Sequence, residues 1–95
     1  MSVRFTAEVT VMPKAEVADP QGLAVREAAG RHLRERGSAS TIAGIRIGKR
    51  IVLECDGESA AEVEKTVRHL AETILTNPNI EEFSVKLSPS GGGSR

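Results

Sequence analysis

Apolar and polar side chains alternate strictly near the N-terminus. The apolar positions are Val3, Phe5, Ala7, Val9 and Val11, and the polar ones between them are Arg4, Thr6, Glu8 and Thr10. A period of two places every second side chain on one face, which is typical of a strand with one buried face. Proline has no amide hydrogen to donate to a sheet, so we expect this strand to end at Pro13.

A helix is predicted from Pro20 to about Arg36. Asp19 suits the N-cap because its carboxylate accepts hydrogen bonds from first-turn amides, and proline suits the first helical position. Gly37 provides the expected stop. The apolar stripe of this helix is Val25, Ala28, Ala29, His32 and Leu33. Gly22 and Gly30 each cost up to about 1 kcal/mol relative to alanine inside a helix, which reflects either close packing or simple tolerance.

The second half of the chain contains the clearest helix signal. Ser59-Ala60-Ala61-Glu62 forms a capping box, and an apolar stripe follows at spacings of four, three and four residues until Asn77-Pro78 ends the helix. The stripe consists of Val63, Val67, Leu70 and Ile74. A last strand is predicted where Phe83, Val85 and Leu87 alternate with Ser84 and Lys86.

The segment from Ile42 to Cys55 is β-like and has a Gly48-Lys49 pair in its middle. Glycine followed by a polar residue suits a two-residue turn, so we favour a hairpin here, and one continuous bent strand is the alternative. With the hairpin, the order is β-α-β-β-α-β. This order predicts an α+β fold, a ferredoxin-like split βαβ with both helices on one face of an antiparallel sheet.

The opposite sheet face is predicted to be of mixed polarity, a surface that a partner could cover. Its expected members are Thr6, Glu8, Thr10, Val52 and Glu54. We expect residues 1–88 to form a single domain, and residues 89–95, with three consecutive glycines, to form a disordered tail.

Composition narrows the function classes. The 95 residues are 39% hydrophobic and 27% charged, with a formal net charge of zero and only two aromatic side chains, both Phe. Nucleic-acid binders usually carry a basic excess, and RNA recognition modules of this shape stack bases on exposed rings. Neither feature is present. No apolar run approaches the roughly 18 residues that span a bilayer, and no signal peptide is evident, so we expect a cytoplasmic protein.

The zero net charge is the sum of a basic region and an acidic region. Residues 26–50 contain seven basic and two acidic side chains, whereas residues 54–82 contain eight acidic and two basic ones. One interpretation is ordinary solvated helix faces. The other is that the two regions steer protein–protein docking, including self-association.

Candidate chemistry is sparse. The lone Cys55 shares a face with Ile51 and Leu53, which favours a small buried side chain over a nucleophile. His32 and His69 lie on different helices without a second ligand at metal spacing. Gly44 and Gly48 are separated by three residues, where a P-loop needs four. We therefore expect no catalytic residues, no cofactor and no metal in this chain. A small-molecule regulatory domain of the ACT type stays open as an alternative.

Three stretches together resemble the PurS family, the small subunit of bacterial phosphoribosylformylglycinamidine (FGAM) synthase. They are Val9-Thr-Val-Met-Pro-Lys followed by Asp19-Pro20-Gln21-Gly22; Ile45-Arg46-Ile47-Gly48-Lys49 leading into Ile51-Val52-Leu53-Glu54; and Leu75-Thr76-Asn77-Pro78-Asn79-Ile80-Glu81. Their order and spacing match the family over roughly residues 3–87.

The resemblance implies a non-catalytic adaptor of de novo purine biosynthesis. Such a chain joins a glutaminase subunit to a large synthetase subunit, which uses ATP and magnesium, and it self-associates as a dimer or tetramer. It supports the transfer of ammonia between the two active sites. No nucleic acid or membrane partner is implied. The expected contact residues lie in exposed loops: Asp19, Pro20, Gln21, Gly22, Arg46, Gly48, Lys49, Arg50, Asn77 and Pro78.

Overall fold

The computed structural model describes residues 2–90, which contain three strands and two helices in the order β-α-β-α-β. The elements are β1 (Val3–Pro13), α1 (Pro20–Glu35), β2 (Lys49–Gly57), α2 (Ala60–Leu70) and β3 (Glu81–Pro89). A π-helical turn, Ala71–Leu75, continues α2.

The strands form one antiparallel sheet in the order β2-β1-β3. Ala7 of the central strand lies opposite Leu53 of β2 and Leu87 of β3. Because alternate side chains share a face, the apolar side chains from Phe5 to Val11 of β1 all point towards α2. The buried core consists of Phe5, Ala7, Val9, Val11, Val63, Val67 and Ala71.

The α+β class and the antiparallel sheet of ferredoxin-like type are confirmed, but the predicted fourth strand is wrong. Gly48 and Lys49 form no hairpin turn, because Gly48 does not have the positive φ that such a turn requires. Gly48 instead lies against β1, where a Cβ would sit 2.2 Å from the carbonyl oxygen of Val11. The glycine allows two segments to approach closely, and a single strand, β2, begins directly after it.

The sequence predicts that the first helix lies on the sheet beside α2. In the structure it does not. It makes few contacts with the strands, and its Leu23 and Val25 are 53% and 45% exposed. Residues 36–48 turn back along the helix, where Arg26 Nε donates to the carbonyl oxygen of Ile42 at 3.3 Å. Residues 20–48 therefore form a projecting unit, which we call the arm.

The arm makes the chain long and thin. Its radius of gyration is 18.1 Å and its principal extents are 59 × 34 × 14 Å. A compact domain of this length has a radius of gyration of about 12 Å. The chain thus leaves much more surface open than a self-contained fold of the same size.

The helix ends follow the predicted capping signals closely. The Asp19 carboxylate accepts from the Gly22 amide, and Gly37 adopts a φ of 72° just after α1. The Ser59 hydroxyl accepts from the Glu62 amide at 3.2 Å. The Glu62 carboxylate accepts from the amide of Glu58, whereas a standard capping box uses the amide of the N-cap residue, here Ser59.

The prediction for the second helix is wrong at one position of its apolar stripe. Ile74 is 72% exposed, and Ala71 is buried instead. The π-helical turn adds a residue to the last turn and rotates the positions that follow, so Leu75 packs against the core. At the C-terminus, Pro89 belongs to β3 instead of opening the predicted tail, and residues 91–95 lie outside the described residues.

Candidate functional site

The three stretches of the family resemblance converge at one end of the sheet. Because both pairings are antiparallel, the end of β1 meets the starts of β2 and β3. Val11 lies opposite Lys49, and Pro13 lies opposite Glu81. We call this region, residues 13–22, 45–50 and 77–81, the loop end.

Asp19 ties the loop end together. One carboxylate oxygen accepts from the Gly22 amide at 2.9 Å, and the other accepts from the Ile47 amide at 3.0 Å. These two hydrogen bonds, that of Gly22 first, hold the pKa of the Asp19 carboxyl below its usual range. Gly22 is buried, and a Cβ on it would lie 2.3 Å from the carbonyl oxygen of Ile45. The start of α1 is thereby fixed against the residues that lead into β2.

Arg46 joins the same region to the end of β1. Its guanidinium donates to the carbonyl oxygen of Pro13 and lies 3.9 Å from the Glu82 carboxylate. Lys49 is exposed at the start of β2. Arg50 points to the other face of the sheet, where it pairs with Glu8. Of the predicted basic contact residues, Arg50 is therefore the one turned away from the loop end.

The Asn77-Pro78 turn is closed by its own hydrogen bonds. Asn77 accepts at its carbonyl oxygen from the amides of Ile80 and Glu81, at 3.0 and 2.8 Å. The Asn77 amide donates to the Glu81 carboxylate at 2.8 Å. The turn is joined to the first loop because the Lys14 amide donates to the Ile80 carbonyl oxygen at 2.8 Å. All three predicted loops therefore belong to one connected surface.

A shallow cleft of about 330 Å³ opens at the loop end. It is lined by Val11, Pro13, Asp19, Gln21, Ile47, Gly48, Lys49 and Glu81. Val11, Pro13, Ile47 and Glu81 were not among the predicted contact residues, although all four are in the family-like stretches. Their positions indicated only strand residues and strand ends. The cleft offers opposite charges and exposed backbone, which suit the docking of a protein segment.

The described residues contain neither a group of side chains suited to a metal ion nor a helix suited to crossing a membrane. Among residues 2–90, no three side chains of His, Cys, Asp or Glu are grouped so that they could hold a metal ion. None of the helices in this part of the chain has the length and apolarity needed to cross a membrane.

The sheet face opposite α2 is of mixed polarity, as predicted. Thr10, Val52 and Glu54 are exposed there. Arg4 and Asp56 form an ion pair at 2.8 Å, which raises the pKa of Arg4 and lowers that of Asp56. Such exposed pairs contribute little to stability, so this face is an ordinary solvated surface in the single chain.

Comparison with known proteins identifies the family. The family model described as PurS, phosphoribosylformylglycinamidine (FGAM) synthase, matches residues 6–89. The chain is 39% identical over 79 residues to phosphoribosylformylglycinamidine synthase subunit PurS of Mycobacterium leprae, covering 83% of this chain and 90% of that protein. The subunit of the same name from Thermotoga maritima is 32% identical over 82 residues, covering 86% and 94%.

A solved structure agrees with these relatives. The structure of PurLQS from Thermotoga maritima contains a chain that superposes with a TM-score of 0.71 at 30% identity, covering 90% of this chain and 98% of that one. The chain described here therefore belongs to the PurS family and is a subunit of phosphoribosylformylglycinamidine synthase in purine biosynthesis.

Proposed function

We propose that this chain is the non-catalytic adaptor of its FGAM synthase complex, joining the glutaminase subunit to the ATP-dependent synthetase subunit. The observation that carries the proposal is the convergence of the three family-like loops on one hydrogen-bonded end of the sheet. The PurLQS structure of Thermotoga maritima, in which a PurS-like chain belongs to a named three-part assembly, supports the same function.

In this proposal the complex converts formylglycinamide ribonucleotide, glutamine and ATP to formylglycinamidine ribonucleotide. The synthetase partner uses the ATP and magnesium, and the glutaminase releases ammonia. The adaptor contributes by holding the two active sites in register, so that ammonia passes between them without escaping to water. The proposed location is the cytoplasm.

The loop-end residues divide into two groups in this proposal. Asp19, Gly22, Arg46 and Gly48 hold the shape of the surface, because each already contacts another part of the chain. The residues proposed to meet a partner are exposed, and they are Pro20, Gln21, Lys49, Asn77 and Pro78. Arg50 would meet a partner only if the partner also reached the polar sheet face.

Self-association as a dimer or tetramer is part of the same proposal. A radius of gyration of 18.1 Å, against about 12 Å for a compact chain, indicates a protomer that is completed by another chain. The unit that associates is the proposed single domain of residues 1–88, which β3 and the family match to residues 6–89 extend by one residue.

The docking surface is tested by removing the two positive charges at the start of β2, of which Lys49 is at the loop end and Arg50 is on the polar sheet face. Lys49→Ala with Arg50→Ala should weaken assembly with the glutaminase and synthetase subunits about tenfold or more, measured by analytical ultracentrifugation, and should lower the melting temperature by less than about 5 °C. The surface ion pair lost with Arg50 is expected to contribute under about 1 kcal/mol.

The matched control is Lys65→Ala with Arg68→Ala on α2. It also removes one exposed lysine and one arginine from a surface ion pair, here with Glu64. This variant should assemble like the wild type. If both double variants assemble equally well, the loop end is not the docking surface.

A further inference from the structure

The arm contains a groove of its own, between α1 and the segment that returns along the helix. Its volume is about 570 Å³. Sites for small molecules usually have volumes of about 300–1,000 Å³, so the groove is large enough for such a ligand. The side chains that line it include three apolar groups and two hydroxyls: Leu23, Leu33, Ile42, Ser40 and Thr41.

The charged side chains of this arm groove are mostly basic. They are Arg26, Arg31 and Arg34, with Glu27 as the carboxylate among them. Within residues 2–90, none of the three arginines forms an ion pair. Arg26 joins the two walls, because its Nε donates to the carbonyl oxygen of Ile42 at 3.3 Å. A guanidinium has five N–H donors in a planar fork, so one such bond leaves most of them for an anion.

Gly30 stands in the helical wall of the groove, and its own chain does not explain it. Glycine inside a helix is less favourable than alanine. At Gly22 a close backbone contact requires the glycine, whereas at Gly30 an added Cβ would meet Arg34 Nη1 at 3.4 Å and no backbone atom. The missing side chain at Gly30 keeps the groove open and allows a ligand to reach the helix surface.

The arm groove is on the side of α1 that faces away from the apolar stripe. Gly30 and Arg34 are four positions apart and share one face of the helix. Val25 and His32 of the stripe lie roughly half a turn away from that face. A protein packed against the stripe would therefore leave the groove open, so the groove is accessible to a ligand whether or not the chain self-associates.

The chemistry of the groove fits a nucleoside phosphate. Arginine pairs with phosphate oxygens through two parallel hydrogen bonds, and its guanidinium plane also stacks on planar rings. The apolar side chains provide a surface for a base, and the hydroxyls of Ser40 and Thr41 provide partners for a ribose. A bare phosphate would use only the arginines and would leave the apolar wall uncovered.

We infer that the arm groove binds a nucleoside phosphate, with the phosphates on Arg26, Arg31 and Arg34 and the base on the apolar wall. The inference goes beyond the adaptor function and does not depend on it, because the groove shares no residue with the loop end. Binding should weaken as the salt concentration rises, since salt screens the attraction between the arginines and the phosphates.

The inference is tested by titrating ATP, as the probe, into the ¹⁵N-labelled full chain at low ionic strength. ATP should shift the amide resonances of residues 23–42 and leave those of α2 unchanged. Adenosine, which has the base without the phosphates, should bind at least about tenfold more weakly, because each hydrogen bond to a charged group contributes strongly. Inorganic pyrophosphate, which lacks the base, should also bind more weakly than ATP.

Four single variants locate the site. Arg34→Gln should weaken ATP binding about tenfold, whereas the matched control Arg36→Gln, outside the groove lining on the same helix, should change it less than about twofold. Gly30→Leu keeps all three arginines and should also weaken binding, because its side chain fills the groove. Glu27→Gln removes the negative charge and should tighten binding. Far-UV circular dichroism verifies that each variant is folded.

ATP binding that is lost in Arg34→Gln and Gly30→Leu and retained in Arg36→Gln supports the inference. It is overturned if ATP causes no shift at about 10 mM, if the shifts lie outside the arm, or if Arg34→Gln and Arg36→Gln lose equally. A glutamate-rich peptide that binds the groove more tightly than ATP would also overturn it, in favour of a docked protein segment. None of these outcomes bears on the adaptor function.

Discussion

Two glycines of α1 should respond in opposite ways to the same substitution. Gly22 and Gly30 are both inside the helix, where alanine is intrinsically favoured by up to about 1 kcal/mol. At Gly30 the nearest atom to an added Cβ is the mobile Arg34 Nη1, at 3.4 Å. At Gly22 an added Cβ would lie 2.3 Å from the Ile45 carbonyl oxygen, a backbone atom that cannot rotate away.

The expected magnitudes follow from these contacts. Gly30→Ala should gain about 0.5–1 kcal/mol of unfolding free energy, which raises the melting temperature of a chain of this size by roughly 2–8 °C. Gly22→Ala must push residues 45–47 away by about 1 Å, and such overpacking costs about 1–3 kcal/mol. The shift also weakens the 3.0 Å hydrogen bond from the Ile47 amide to Asp19. The net effect should be a loss of about 1–3 kcal/mol.

The assay is thermal unfolding followed by far-UV circular dichroism at one fixed protein concentration, because the proposed self-association would make the melting temperature depend on concentration. The chain has no Trp or Tyr, so fluorescence is not an option. Amide hydrogen exchange at Ile47 provides the local readout and should accelerate in Gly22→Ala only. If both variants are stabilised equally and Ile47 exchanges as in the wild type, the arm is not held at its base by this contact.

Three further predictions address the core, a helix cap and a titrating group. Val67 is 0% exposed, and Val67→Ala should lower the free energy of unfolding, measured with urea, by about 2–3 kcal/mol. Val52 is 56% exposed, and Val52→Ala should lower it by under about 0.5 kcal/mol. Equal losses would contradict the assigned core. Ser59→Ala should cost about 1 kcal/mol and Ser59→Asp much less, since aspartate also caps; a loss in both would point to another role. The pKa of Asp19 is lowered by folding, so its stabilisation is present at neutral pH and is lost as pH falls below about 4. Asp19→Asn should therefore melt below the wild type at pH 7, and the gap should narrow as the pH falls below about 4; a constant gap would contradict the assigned hydrogen bonds.

Local patterns predicted most of the elements correctly. The alternation in β1, the Asp19-Pro20 start of α1 and the Ser59 cap of α2 all depend on residues close in sequence, and all are confirmed. The exposed Ile74 was not predictable in this way. The spacing of α2 continues regularly through the residues where the π-helical turn changes the register.

The errors concern contacts between distant parts of the chain. A glycine that permits a turn and a glycine that permits close approach to another strand have the same local signature, so Gly48 was misread. The position of α1 depends on whether the residues that follow it return to the sheet or run along the helix, and no local pattern specifies that choice.

The candidate site was predicted in pieces. The three loops were recognised through their resemblance to a family, but their meeting at one end of the sheet follows from the antiparallel pairing of β1 with β2 and β3. The second hydrogen bond of Asp19, to Ile47, spans 28 positions. Capping explains Asp19 fully from the sequence, so nothing there indicated the second role.

The adaptor function is tested most directly by measuring synthetase turnover with two nitrogen sources. The glutaminase and synthetase subunits are assayed with glutamine, and separately with ammonium, in the presence and absence of this chain. The account predicts that glutamine-driven turnover requires the chain and that ammonium-driven turnover does not. Loss of both rates without the chain, or no change in either rate, would contradict it.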